Sequence, residues 1–438
     1  MFQKKRYLFI SIILSMAVMG AVIGRWTVAT VSAQNSYEDL KTFTEVLTII
    51  KKNYVDEVKT KDLIAGAIKG MVSSLDPHSG YMTVDAFKEL QVETKGEFGG
   101  LGIQIGAKDG LLTVIAPIED TPAYRAGIKA GDKIIKIAGE ATKEMNITDA
   151  VEKMRGPKGT AVTLTILREG LKGPKDFTIV RDIIKIKSVK AKMLDGNIGY
   201  VKLTQFQETT ASDLSNALKT LKKEGMASLI LDLRNNPGGL LNSAVDVTEQ
   251  FIPSKKLVVY IKGRDGEKIE YLTEGDKTAY TNIPMVVLVN EGSASASEIV
   301  AGALKDWSRA IIIGIQTFGK GSVQSLIPLS DGSGLRLTTA KYYTPKGTSI
   351  QSVGITPDIV VKLETKDVKN SHPVVREKDL ERHLKNDTAG DQVKEDTETK
   401  ETAPLEVEEK DDLQLQRAMD TLKTWKVFEK MLSKDKAA

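Results

Sequence analysis

The sequence predicts a multidomain α/β protein: an α/β domain, a small β-rich domain ahead of it, a helical segment at the N-terminus and a charged helical tail at the C-terminus. Three observations carry this. From 184 to about 363, apolar β-type runs alternate with helical periodicities, as in a domain that layers strands and helices. From about 94 to 182 the chain is Gly-rich, with five short β-type runs and room for one small domain. Beyond 363, Lys, Glu, Asp and Thr dominate until one last amphipathic stretch. At 438 residues the chain can hold two or three domains. The expected divisions are 1–33, 36–94, 95–183, 184–363 and 364–438.

In chain order, Lys4, Lys5 and Arg6 precede an uncharged apolar run from Tyr7 to Gly24 that Arg25 ends. A basic flank before such a run reads as an export signal with its N-terminus in the cytoplasm. Eighteen residues rising 1.5 Å each span ~27 Å, enough to cross a bilayer. Val31-Ser32-Ala33 has the small residues of a cleavage site, so 1–33 is either a retained anchor or a removed signal peptide. Either places the rest of the chain outside the cytoplasm. Within 36–94, Leu40, Phe43, Val46, Leu47, Ile50 and Tyr54 have the spacing of an amphipathic helix, and a second helix over 63–75 stops at Asp76-Pro77. The β-type runs of the small domain are 102–105, 112–115, 133–137, 162–167 and 177–180. The α/β domain reads as strands at 198–203, 228–233, 257–261, 285–289 and 310–315, with helices at 211–224, 240–251 and 295–305. Residues 364–412 read as a solvated linker. In the helix at 412–432, Leu415, Met419, Leu422, Trp425, Phe428 and Leu432 share one side, which packs on the chain's own core or on a second copy.

Composition narrows the chemistry. There is no cysteine, which excludes disulfides, thiolate metal sites and a cysteine nucleophile. The three histidines are His78, His372 and His383, and none lies between 79 and 371. A net charge of +4 gives no field that would favour nucleic acid.

Three turns in the α/β domain could carry a reaction. After the 285–289 strand comes Asn290-Glu291-Gly292-Ser293-Ala294-Ser295-Ala296-Ser297-Glu298. A turn of small residues from strand into helix projects a serine hydroxyl while helix N–H groups face the same space, the logic of a nucleophile elbow. Ser295 with Glu298 also fits a plain capping box. Lys320, in Thr317-Phe318-Gly319-Lys320-Gly321, sits beside an aromatic and near buried strands; it is either a surface charge in a glycine loop or a desolvated base for the serine. With no histidine in this half of the chain, a Ser–Lys pair fits the composition. The third turn, Asn235-Asn236-Pro237-Gly238-Gly239, ends the 228–233 strand and opens a helix, so its N–H groups could bind an oxyanion. Asp232 and Arg234 beside it could form a structural ion pair. In the small domain, Gly99-Gly100-Leu101-Gly102-Ile103 can offer consecutive N–H groups to a carboxylate, and the strand that follows can pair with a peptide.

Taken together these residues, over about 37–363, resemble the carboxyl-terminal processing (tail-specific) serine protease family with its inserted PDZ domain. The resemblance implies an α/β serine protease core of the crotonase/ClpP-like superfold over 184–363 and a PDZ domain over 95–183. It implies Ser295 as nucleophile, from the Ser-Ala-Ser-Glu motif at 295–298, and Lys320 as general base, from Phe-Gly-Lys-Gly at 318–321. Gln324, four residues after the lysine, is the family's orienting amide. Asp306, eleven residues after the serine, is the position some members assign to charge relay, and a structural role at the helix end competes with it. The implied oxyanion hole is the N–H of Ala296 with that of Gly238 or Gly239, and the implied carboxylate loop of the PDZ domain is Gly100, Leu101, Gly102 and Ile103. No metal or organic cofactor is implied. The implied substrates are proteins or peptides with free C-termini, cleaved on the periplasmic side of the cell envelope by an enzyme anchored in the inner membrane or secreted. A homodimer through terminal helices is a further implication. An inert tail-binding scaffold and an esterase are the competing functions.

Overall fold

The computed structural model describes residues 38–435 apart from 109, 144, 171, 275–279, 363–370, 389–401 and 405–410. The signal or anchor expected over 1–33 lies outside the described residues. Among those described, no helix is long and apolar enough to cross a membrane. The chain divides into two units, 1–74 and 75–438. The first carries helices over 38–53 and Thr60–Ser73, in the two stretches where the 3.6-residue period predicts them.

The centre of the second unit is a six-stranded sheet. Its strands run in the order Val189–Leu194, Ile198–Leu203, Ser228–Asp232, Met285–Val289, Ile311–Gly314, Ile359–Val360. The first pair is antiparallel and every other pair parallel. Ser228–Asp232 and Met285–Val289 are buried throughout, as their continuous apolar sequence requires of strands covered on both faces. On one face Leu229, Leu231, Val287, Val289 and Ile312 pack with helices Thr210–Lys223, Leu241–Glu249 and Ala296–Asp306. On the other, Ile198, Ile230, Val286, Leu288 and Ile313 pack with Leu415, Ala418 and Leu422. These last belong to the helix Leu413–Asp435, so the amphipathic tail helix covers its own core.

A second, antiparallel sheet joins Gly80–Met82, Gly334–Tyr343, Leu257–Gly263 and Lys268–Leu272, with Ser322–Pro328 also paired to Gly334–Tyr343. The small domain is a separate antiparallel sheet, in the order Ile103–Lys108, Leu111–Pro117, Lys133–Ile137, Ala161–Leu167, Lys175–Val180. It has its own core, which includes Leu112, Val114, Ile134, Leu164, Ala150 and Met154. Its entry strand Glu97–Gly100 pairs antiparallel with its exit strand Asp182–Lys185, so the domain leaves and rejoins the rest of the chain at one place.

One expectation needs correction. Part of the segment read as a solvated linker is folded. Glu377 is fully buried, Asn386 donates to the carbonyl of Gln351 at 2.6 Å, and Asp387 accepts from Lys341 Nζ at 2.6 Å and from the Tyr343 hydroxyl at 3.0 Å. Composition marks such a stretch as unable to build a core of its own, but it does not exclude docking on a core already made.

Asp232 and Arg234 do pair, and the tail completes the pair. Arg234 donates to Asp232 (Nη2 to Oδ2, 2.8 Å), to both oxygens of Asp412 (2.9 and 2.8 Å) and to Gln414 (3.1 Å), while the Tyr200 hydroxyl donates to Asp232 at 2.7 Å. Burial opposes both charges. The pairing outweighs it, holding the Asp232 carboxyl below its usual range and the guanidinium above its own. Removing one partner of a buried pair exposes the desolvation cost of the other. Asp412→Ala should therefore lose about 3 kcal/mol of stability, read as a lower urea midpoint, whereas Asp420→Ala on the same helix should leave the midpoint in place.

Candidate active site

Three neighbouring parallel strands carry the three turns. Ser228–Asp232 leads to the Pro-Gly-Gly turn, Met285–Val289 to the serine turn and Ile311–Gly314 to the lysine loop. All three turns leave the carboxyl ends of their strands, which is where open α/β sheets place ligands.

Ser295 has φ 55° and ψ −114°, a backbone conformation that side-chain-bearing residues rarely adopt. The turn from strand into helix is thus a tight one, and the capping box of Ser295 with Glu298 is present as well. The turn is fastened on both sides. Asn236 accepts at its carbonyl from Ala294 N–H at 3.0 Å and from the Ser297 hydroxyl at 2.8 Å; Ser293 Oγ donates to the Leu233 carbonyl at 2.8 Å. Phe318 N–H donates to the Ser293 carbonyl at 3.1 Å. Gly238 lies directly against the serine: a Cβ there would sit 2.8 Å from Ala294 O and 2.8 Å from Ser295 Cβ, at φ 104°. No other residue type fits.

The strongest tie is Glu298. It is fully buried, and its carboxylate accepts four hydrogen bonds. Oε1 takes the Thr317 hydroxyl at 2.6 Å and Gly319 N–H at 2.7 Å; Oε2 takes Ser295 N–H at 2.8 Å and Lys320 N–H at 2.9 Å. The backbones of the serine and the lysine are therefore bound to a single oxygen atom. Burial pushes the Glu298 carboxyl up to about 7 against the pull of these four donors. The sequence shows Glu298 only as a capping residue, because the capping signature is local and its second pair of donors lies some twenty residues on.

Lys320 is held below its ordinary pKa by burial and by Arg336, against the opposing pull of Glu377, Glu298 and Asp76. Gln324 Nε2 donates to Ser322 Oγ at 2.9 Å and to Thr338 Oγ1 at 3.3 Å. Thr338 in turn donates to Asp76 at 3.1 Å. Tyr342, which the sequence reading missed, brings a fully buried hydroxyl beside the Ser295 side chain, in contact but without hydrogen-bond geometry. Burial raises that phenol well above its ordinary range, so it stays protonated.

Gly238 N–H donates to Asn236 Oδ1 at 2.9 Å. Among the described residues, the N–H groups of Gly239 and Ala296 have no such partner. Asp306 is elsewhere. It ends the 11-residue helix Ala296–Asp306, ~16.5 Å along the axis from Ser295, and accepts from Lys346 N–H at 2.8 Å. The contact observed at Asp306 is thus a structural one at the helix end. In the small domain, the carbonyls of Leu101 and Gly102 accept from Ala123 N–H (2.9 Å) and Ile118 N–H (2.9 Å). The N–H groups of Leu101 and Gly102 have no partner among the described residues.

Comparison with known proteins agrees with this architecture. Residues 197–361 match Peptidase family S41, residues 113–168 match a PDZ domain, and residues 21–86 match the activating protease CtpB N-terminal domain. The chain is 45% identical over 404 residues to a carboxy-terminal-processing protease of Bartonella bacilliformis, covering 91% of each chain. It is 41% identical over 315 residues to the carboxy-terminal processing protease CtpA of Bacillus subtilis, covering 72% of this chain and 67% of the relative. Among solved structures, the photosystem II D1 C-terminal processing protease is 30% identical, with 75% of this chain and 94% of that one covered at a TM-score of 0.43. The family matches and the two relatives define a serine-type peptidase with a PDZ domain. More particularly, the chain belongs to the carboxy-terminal processing protease family.

Glu298→Gln should separate the site's assembly from folding. An amide nitrogen cannot accept, so one pair of N–H or O–H donors loses its acceptor. Displacement of the two loops by about 1 Å costs on the order of a hundredfold in kcat, and that loss should be measurable on a variant that retains its circular dichroism spectrum.

Proposed function

We propose that the protein is a serine endopeptidase of the cell envelope that captures C-terminal tails of protein substrates on its PDZ domain and cleaves them with a Ser295–Lys320 dyad. The observation that carries this reading is the single Glu298 oxygen that binds both Ser295 N–H and Lys320 N–H, together with the depressed pKa of Lys320. In the proposed mechanism, neutral Lys320 removes the Ser295 proton as Oγ attacks a peptide carbonyl. The tetrahedral anion is held by backbone N–H groups, the lysine returns the proton to the leaving amine, and water releases the acyl-enzyme. Of the two glycines left open by the sequence, Gly239 fits the oxyanion hole with Ala296, because Gly238 N–H is already engaged with Asn236. Gln324 is the orienting amide: with Nε2 committed to Ser322 and Thr338, its Oε1 is left to accept from the lysine amine. Such an acceptor orients a neutral amine without the charge that would raise its pKa.

Residues 95–183 are the tail-capture domain in this reading, and the free N–H groups of Leu101 and Gly102 suit a terminal carboxylate. Residues 184–363 are the catalytic core, 36–94 the helical segment and 1–33 the signal or anchor that places both domains on the periplasmic side. Peptides and unfolded proteins with free C-termini are the substrates, and pairing through terminal helices would give a homodimer.

Ser295→Ala and Lys320→Ala should each abolish cleavage of an unfolded protein with an apolar C-terminus, followed as fragments by mass spectrometry, while tail binding persists. Persistent cleavage by either variant would refute the dyad; binding without turnover by the wild type would favour a scaffold. The rate should also climb with pH. Protonated Lys320 cannot accept the serine proton, so activity is absent below its pKa and rises through it, and burial sets that pKa below the usual 10.5. A profile flat from about pH 6 to 10 would contradict a lysine base.

A further inference from the structure

The tail segment beyond the sheet's last strand, Ile359–Val360, reaches back to the lysine loop. Glu377 opens the short turn Glu377–Asp379 and is fully buried, an unusual place for a carboxylate unless it has partners. It has three. Oε1 accepts from Gln351 Nε2 at 2.8 Å, Oε2 meets His78 Nε2 at 2.7 Å, and the Glu377 N–H donates to the Phe318 carbonyl at 3.1 Å. Gln351 is itself engaged with the same loop, since its Oε1 accepts from Gly321 N–H at 3.0 Å. Phe318 and Gly321 flank Gly319 and Lys320. One residue of the tail therefore grips the loop at both ends, directly through Phe318 and through Gln351 at Gly321. Glu298 holds the two N–H groups between them.

We infer that Glu377 is a positioning residue of the active site, a clamp from the C-terminal segment that fixes the two ends of the Lys320 loop whose middle Glu298 holds. The inference rests on Lys320 being the base. Nothing local in the sequence announces it, because Glu377 stands in a run of charged residues that resembles a solvated segment. Its charge acts as well as its hydrogen bonds. The charged groups that face Lys320 are Arg336 from strand Gly334–Tyr343, Glu298 from the serine helix, Asp76 from the turn before Gly80–Met82, and Glu377. Arg336 favours the neutral amine. Glu377 is the foremost of the carboxylates that oppose it, so the tail offsets part of the effect of burial and keeps the lysine basic enough to take a proton.

The test compares kcat and KM against pH for the full chain, wild type and variants, on the same unfolded substrate, with active sites titrated by a serine-reactive phosphonate. Glu377→Gln keeps the size of the side chain and removes its charge. It should move the ascending limb of the kcat profile to lower pH by roughly half a unit to one unit and lower the plateau, with KM little changed. Gln351→Ala cuts the link to Gly321 and leaves the charge, so it should lower the plateau on the order of tenfold without moving the limb as far. Glu377→Asp should recover the position of the limb. A residue that served only to stabilise the tail would reduce the titrated fraction of active enzyme and leave the limb in place. A Glu377→Gln limb superimposed on wild type therefore overturns the inference. If Lys320→Ala still cleaved, the dyad itself would fail, a result separable from the first.

Discussion

A carboxylate with no access to water holds the catalytic region in one piece. Glu298 accepts from Ser295, Thr317, Gly319 and Lys320, four donors on two segments that strand pairing and the Phe318–Ser293 hydrogen bond also join. The elbow at Ser295 is strained, by about 1–3 kcal/mol. Four hydrogen bonds to a buried acid, each contributing about 1.5–3 kcal/mol when the acceptor is charged, are enough to hold it. The same bonds specify the position of the lysine loop. Strain, burial and loop placement thus have one common origin, and the capping residue of a helix serves as the joint between two turns.

Parallel pairing makes that joint possible. Strands Ser228–Asp232, Met285–Val289 and Ile311–Gly314 are neighbours with their carboxyl ends level, with Asp232 opposite Leu288 and Leu288 opposite Ile313. Turns far apart in the chain arrive at one edge. Covering both faces of the sheet keeps the register from slipping, because each strand must satisfy two apolar cores at once. The tail helix supplies the second core, and Arg234 locks the start of that helix to the end of a central strand through Asp412.

Much of this was legible in the sequence where the signal is local. Continuous apolar runs gave the central strands, the 3.6-residue period gave the helices, and the three turns were visible as small-residue motifs at strand ends. The less apolar strands Ser322–Pro328 and Gly334–Tyr343 escaped because they alternate around polar residues and pair in a sheet exposed along one side. Glu377 escaped for a different reason. Its burial depends on Gln351, His78 and Phe318, none of them near it in the chain, and no window of sequence contains that information. Asp306 shows what a local signal can carry: a structural role at the helix end was legible from its place in the helical run, and there it accepts from Lys346 N–H.

The paired strands at the base of the small domain have a consequence for how such a chain can change over time. Glu97 lies opposite Lys185 and Gly100 opposite Asp182, so everything from 101 to 181 is, in topological terms, the tip of a hairpin. A tip can be lengthened, shortened or exchanged without rethreading the body that carries it. The PDZ domain and the core that holds the serine can therefore diverge at different rates, the first changing its sequence while the second keeps its geometry.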